Sequence, residues 1–236
     1  MLTETGPISL PPPKPAKVAA YCDVDGTLTA TTIVTPLLWF RRKRSALSDR
    51  FWISTLPLRA PWWLLLDHLS RGASNRAIYH GYKGMDAKWA RDQAQLCFYD
   101  CIKPRLFPLA LRRLQELRRQ DIALVLVTGG LNFVLQPLAD FLGAELIAPG
   151  LREKQGVFTG ELDHSPLTGS AKYVAVCKHA THNGIDLAAS YAFGDAYGDL
   201  NMLYSVGHPV AVNPEHRVRR VAVLRKWEIA EWKTAP

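Results

Sequence analysis

The 236-residue chain has little cysteine: Cys22, Cys97, Cys101 and Cys177, without the Cys/His clustering of a zinc site. That excludes a disulfide-stapled scaffold and predicts buried thiols in a reducing compartment. There is no apolar run of the roughly 20 residues a bilayer span requires. The longest candidate, Phe51 to Leu66, is broken by Pro57, Arg59 and Pro61. Residues 1–17 hold five prolines and no apolar core for a secretory signal, so they read as an extended or disordered lead-in, and a cytoplasmic location is expected. Internal repeats are absent. The seven histidines, from His68 to His216, have no metal-ligand spacing. Acidic residues are in the minority, 21 against 29 Lys+Arg, for a net charge of +8. A basic balance suits nucleic acid, an anionic membrane or a small phosphorylated substrate and does not choose among them.

What is present is a globular composition, 48% hydrophobic and 21% charged, long enough for one large domain or a core with an insert. Short apolar runs alternate with helix-length segments. Val18 to Cys22 and Ile122 to Val127 are too continuous for one-faced strands and read as buried central ones. Tyr191 to Phe193 and Pro209 to Val212 are shorter versions. Helices are predicted over 105–120, 132–142, 170–182 and 214–226, with Ser170 capping the third and Asn213-Pro214 opening the fourth. Lys154 to Glu161 reads as a hairpin. Strand–helix alternation of this kind predicts an α/β fold with a parallel sheet covered on both faces. Residues 34–100 break the rhythm. They contain Trp39, Trp52, Trp62, Trp63 and Trp89, the basic cluster Arg41 to Arg44, and no clear strand. The expected organisation is a lead-in at 1–17, a core from 18–33 and 101–236, and a helical insert at 34–100.

Chemistry gathers where strands end. The first strand runs into Asp23-Val24-Asp25-Gly26-Thr27. Two acids one residue apart leave the strand on the same side and repel each other unless a cation or a divided protonation role relieves them. The second strand ends in Thr128-Gly129-Gly130, a hydroxyl and backbone N–H groups suited to a phosphate. Gly169-x-x-Lys172 offers one ammonium near a helix start. Another strand ends in Gly194-Asp195-Ala196-Tyr197-Gly198-Asp199, a second pair of acids. Each could be structural alone; four such termini in one chain point to a site.

The set D-x-D-G-T, T-G-G, G-x-x-K and G-D-x-x-x-D resembles the haloacid dehalogenase superfamily, and within it the phosphoserine-phosphatase-like branch with a helical cap, subfamily IB. The likeness spans residues 18–226. It implies a Rossmann-like core, Mg²⁺ as cofactor and phosphomonoester hydrolysis through an aspartyl-phosphate. By the same resemblance Asp23 is the nucleophile and Asp25 the acid/base. Thr128, Gly129 and Lys172 bind the phosphoryl group; Asp23, the Asp25 carbonyl and Asp195 hold the metal; Asp199 orients Lys172 or a metal-bound water. The chain departs from the branch in two places. Residues 28–40 contain no acid to hold a substrate ammonium, with Thr32 nine positions beyond Asp23, which speaks against phosphoserine. Gly198 stands where the branch often has asparagine.

The tryptophan-rich insert reads first as a cap with its own small core. A sharper expectation is an interfacial patch, with tryptophans at headgroup depth and Arg41 to Arg44 drawn to anionic lipid, which suits a lipid-linked substrate and a peripheral place at a membrane. Nucleic acid is the weaker partner, since no recognised nucleic-acid module is present. The alternative function is a catalytically idle relative that binds a membrane surface or nucleic acid through this insert.

Overall fold

The computed structural model describes residues 17–44 and 46–233, so the lead-in lies, apart from Lys17, outside the described residues. The elements run β1 (Ala19–Cys22), α1 (Val34–Arg44), α2 (Leu47–Ser54), α3 (Leu56–Leu69), α4 (Arg71–Tyr79), α5 (Ala87–Asp92), α6 (Ala94–Cys97) and α7 (Pro108–Arg119). They continue with β2 (Ala123–Val127), α8 (Asn132–Leu142), β3 (Glu145–Ile147), β4 (Leu151–Lys154), β5 (Val157–Leu162) and α9 (Ser170–Asn183). Last come β6 (Tyr191–Gly194), α10 (Leu200–Leu203), β7 (His208–Val212), α11 (His216–Arg225) and β8 (Glu228–Ala230). Six strands form a parallel sheet in the order β3-β2-β1-β6-β7-β8. The chain winds outward from β1 in both directions, so the switch point lies between β1 and β6, where a crevice opens beyond the strand ends.

The continuous apolar runs divide cleanly by face. Ala20 and Cys22 of β1 join one buried cluster, with Leu124 and Leu126 of β2 and Val210 and Val212 of β7. Their neighbours Ala19, Tyr21, Val125, Val127 and Ala211 join a second cluster on the other side. Side chains alternate across a strand, so a sheet with helices on both faces needs apolar residues at every position. All four cysteines are free thiols and three are buried; Cys97 and Cys101 lie one turn apart with Sγ atoms 4.0 Å from each other.

Between β1 and β2 the regular elements are all helices. The chain leaves and returns through a paired neck: Ala30 N donates to Arg105 O at 2.8 Å and Phe107 N to Leu28 O at 2.9 Å. The far end of the segment is tied to the β4–β5 hairpin by Gly84 N to Phe158 O and Phe158 N to Met85 O, both 2.9 Å. Its interior is aromatic, with Phe40 against Tyr82, Trp89 and Phe133 at ring separations of 5.7 to 6.1 Å. Trp63 is buried and packs on Trp52, whereas Trp62 is 56% exposed. Two arginines of the basic cluster turn inward. Arg41 and Arg44 both bond the fully buried Asp49 at 2.5 Å, and Arg41 also donates to Gly81 O. Burial acts to raise the Asp49 pKa, yet the two guanidiniums hold it below the usual carboxylate range. These two charges are therefore spent inside the segment, leaving Arg42 and Lys43 on its surface.

Two caps differ from expectation. Ser170 is the first residue of α9, whose cap is Gly169, and no side chain bonds there. Asn213 does not start α11, which is capped at Glu215. It sits at φ +42° and ties three segments together. Its Nδ2 donates to Gly26 O at 3.0 Å, while its Oδ1 accepts from Trp232 N at 2.7 Å and Lys233 N at 3.0 Å. Asparagine tolerates the left-handed region and supplies both donor and acceptor, so a local cap signal was outbid by a long-range one. The edge strands β3 and β8 carry too few apolar residues to be legible in the sequence.

Candidate active site

The crevice at the switch point receives the ends of β1, β2 and β6 and the start of α9. Asp23 follows β1 directly and is pinned by its backbone N–H to Phe193 O at 3.0 Å. The next turn folds back tightly: Gly26 N donates to Thr29 O at 2.9 Å, and Leu28 N and Thr29 N both donate to Val24 O. Gly26 has φ +87°, and a Cβ there would land inside van der Waals distance of Asp195 Oδ2. Glycine is thus required for the backbone and for the space. The turn aims the two acids differently. Asp23 faces Lys172, whereas Asp25 accepts from Thr31 Oγ1 at 2.6 Å. Thr31 is bonded in turn to Thr29.

Lys172 is 4% exposed and sits in the first turn of α9, where the helix dipole opposes a positive charge. Its Nζ lies 2.5 Å from Asp23 Oδ1 and 2.6 Å from Asp199 Oδ1. Burial works to lower its pKa, but Asp199 and Asp23 outweigh that and raise it, so it stays an ammonium. Asp199 is placed by accepting from Ala196 N at 3.1 Å and Asp195 by Thr27 Oγ1 at 3.0 Å. One carboxylate oxygen from each of Asp23, Asp195 and Asp199 lies within 4.8 Å of the others. Burial holds Asp23 well above its ordinary value, against the pull of Lys172 and with the charges of Asp199 and Asp195; burial and the charge of Asp199 push Asp195 up to about 7. Three crowded acids with one lysine are one or two positive charges short, and hard oxygen donors suit Mg²⁺. Asp25 is also raised, by burial, against the opposing pull of the Thr31 bond and of Lys172 and Arg71.

Thr128 directly follows β2 and is almost fully buried; its Oγ1 accepts from Gly130 N at 3.0 Å. Gly129 O accepts from Tyr79 OH of α4, which ties the helical segment to this turn. Gly198 meets the start of α9, where Gly169 N donates to Gly198 O at 2.8 Å. A Cβ at Gly198 would approach Thr168 Oγ1 to 2.6 Å, so Thr168 fills the space an asparagine side chain there would need. The seven residues singled out from sequence all line one cavity of about 620 Å³. Thr27, Thr31, Tyr79 and Asn213 support them and were not foreseen. The first two belong to the threonine-rich run after Asp25, a signal that was available; the other two are remote in sequence.

A Rossmann-like parallel sheet with acids at its switch point is the architecture of a hydrolase family. The haloacid dehalogenase-like hydrolase family matches residues 20–204, and the chain belongs to it. It is 30% identical over 152 residues to the inhibition of morphological differentiation protein of Streptomyces azureus, covering 64% of this chain and 54% of that one. The chain thus aligns with about half of that relative's length. A probable phosphatase of Mycobacterium tuberculosis is 27% identical over 226 residues, 91% of this chain and 75% of its own. Among solved structures, a Bordetella pertussis protein of unknown function superposes with a TM-score of 0.78 at 21% identity, covering 91% of this chain and 98% of that one. A phosphoserine phosphatase captured as a phospho-aspartyl intermediate analogue superposes with a TM-score of 0.66 at 19% identity, covering 92% and 93%. The phosphoserine-phosphatase-like resemblance is borne out: the chain is a member of this hydrolase family and has the fold of the phosphoserine phosphatases it superposes on. Among the described residues no helix is long and apolar enough to cross a membrane.

Proposed function

We propose that the protein is a Mg²⁺-dependent phosphomonoester hydrolase that works through an aspartyl-phosphate on Asp23, with residues 34–100 as its cap. Its substrate is a small or lipid-linked phosphorylated metabolite. The observation that carries this reading is the Asp23–Lys172–Asp199 chain of contacts beside Asp195, in the crevice beyond the strand ends.

Lys172 holds one Asp23 oxygen, leaving the other to attack phosphorus in line. As the P–O(ester) bond breaks, Asp25 gives its proton to the leaving oxygen; its raised pKa keeps that proton available. Asp25 then takes a proton from water, whose oxygen attacks the acyl phosphate and releases inorganic phosphate and the Asp23 carboxylate. Thr128 Oγ1, the Gly129 N–H and Lys172 stabilise the phosphoryl oxygens throughout. Asp23, Asp195 and the Asp25 carbonyl would hold Mg²⁺, which when bound would neutralise charge on the phosphoryl group. Asp199 keeps Lys172 in place. A passive binding module has no use for two buried carboxylates on a lysine with a third beside them, which weighs against the idle alternative.

Phosphate release from p-nitrophenyl phosphate, with and without Mg²⁺, tests the reading. Release should require Mg²⁺ and vanish in Asp23→Asn while the circular dichroism spectrum is unchanged. Wild-type turnover by that variant would refute it.

A further inference from the structure

The cavity above Asp23 has two unlike ends. Its floor holds the four acids and Lys172. Its upper wall is built by Val34 and Leu38 of α1, Ile78 of α4, and Leu56, Ala60, Trp63 and Leu64 of α3. The four α3 residues stand at i, i+4, i+7 and i+8, one face of the helix. Two polar groups on this side are engaged elsewhere, Ser74 Oγ donating to Trp63 O at 3.2 Å and Thr31 to Asp25, while Asn75 of α4 lines the cavity on the Gly129 side. Among the described residues, Arg71 is the one charged residue lining the cavity besides the catalytic five. Among the described residues no further carboxylate lines the cavity to meet a substrate ammonium, and a polar chain laid along the α1–α3 face would lose hydration against Val34, Leu38, Leu56 and Trp63, with the polar lining side chains Asn75 and Arg71 set on α4 instead. Nor does the apolar surface stop at the mouth. Leu64 is 72% exposed, and Trp62 and Leu65 beside it are at least half exposed.

We infer that the substrate is the phosphomonoester of an alcohol bearing an apolar chain, with the phosphate on Asp23 and the chain along the α1–α3 wall. This rests on the hydrolase reading and sharpens it. Each methylene that moves from water onto the wall contributes about 0.8 kcal/mol when fully buried, about fourfold in kcat/KM. A cleft open at its mouth realises about two- to fourfold.

The test is phosphate release from ethyl, butyl, hexyl and octyl phosphate as dispersed monomers, beside phosphoserine, glycerol phosphate and p-nitrophenyl phosphate. The inference expects kcat/KM to climb with each methylene until the cavity is filled, and octyl phosphate to exceed phosphoserine. In Ala60→Asp, which adds a carboxylate to the wall at an exposed helix position, the gain per methylene should fall toward unity. A series flat in chain length, or phosphoserine above octyl phosphate, overturns the inference while the p-nitrophenyl phosphate signal leaves the hydrolase reading standing. So does an unchanged slope in Ala60→Asp. No release from any compound, with Mg²⁺ present, removes the hydrolase reading and this inference together. Decyl phosphate offered in neutral vesicles separates a chain taken from a bilayer from one taken only as monomer; either source fills the same wall, and turnover of neither counts against it.

Discussion

Replacing Lys172 by methionine keeps the buried stem and removes the charge on which the site's electrostatics turn. The ammonium touches Asp23 and Asp199, whose side chains are 9% and 3% exposed. Without it those carboxylates and Asp195 share a poorly solvated space and lose the ammonium that touches two of them. Breaking a buried ion pair costs about 3–5 kcal/mol. A second limit comes from titration: protonating one carboxylate of ordinary pKa near 3.9 at neutral pH costs about 4 kcal/mol, so the protein can relieve the strain for about that much. The same relief costs only about 1.5 kcal/mol near pH 5. Lys172→Met is therefore expected to lose about 4 kcal/mol of metal-free stability at neutral pH and less than half of that near pH 5. Urea unfolding followed by circular dichroism at the two pH values measures the difference, and saturating Mg²⁺ should narrow it. A loss below about 1 kcal/mol at neutral pH, or one independent of pH, refutes the assignment of Lys172 as the cation that makes the acid cluster tolerable.

Further outcomes follow from the same geometry. Gly26→Ala must place a methyl against Asp195 at a left-handed φ, costing about 1–2 kcal/mol in backbone strain and moving a candidate metal ligand; the Mg²⁺ concentration for half-maximal phosphate release should rise about tenfold or more. Asp195 titrates near 7 in the folded metal-free protein against 3.8 ordinarily, so the folded state binds the extra proton. Metal-free stability should then fall as pH rises from about 4 to about 7, by up to about 4 kcal/mol, and the Mg²⁺-induced rise in Tm should be larger at the alkaline end. Equal Mg²⁺ shifts across that range would contradict the shift. Asp49→Ala strands Arg41 and Arg44 inside the helical segment and is expected to cost about 3–5 kcal/mol. Tryptophan fluorescence should report it directly, because the Arg41 guanidinium lies 4.8 Å from the Trp52 ring.

The legible parts of this protein are those where a local pattern has a single physical solution. Continuous apolar runs such as Ala19–Cys22 and Ala123–Val127 can be satisfied only inside a sheet covered on both faces, and each became a central strand. Helices with strong punctuation, such as Asn132–Leu142 ahead of Gly143, were equally plain. Short edge strands were not, because Glu145–Ile147 and Glu228–Ala230 are half exposed and owe their conformation to the neighbour they pair with. Asn213 misled for a related reason: its best partners are 187 and 19 positions away.

Sequence by itself determined the strand-end chemistry. Asp23, Asp25, Thr128, Gly129, Lys172, Asp195 and Asp199 stand in motifs whose spacing is local, and a parallel sheet delivers every strand end to the same edge. What only the tertiary structure decided is how those groups divide and what faces them. The turn at Gly26 sends Asp23 toward Lys172 and Asp25 toward Thr31, though they are two residues apart. The folding of α1 to α4 over the crevice turns Arg41 and Arg44 inward to Asp49 and sets an apolar wall above the acid cluster. Charge at a strand end is a property of the chain; the company it keeps depends on contacts between segments far apart in sequence, which no local pattern encodes.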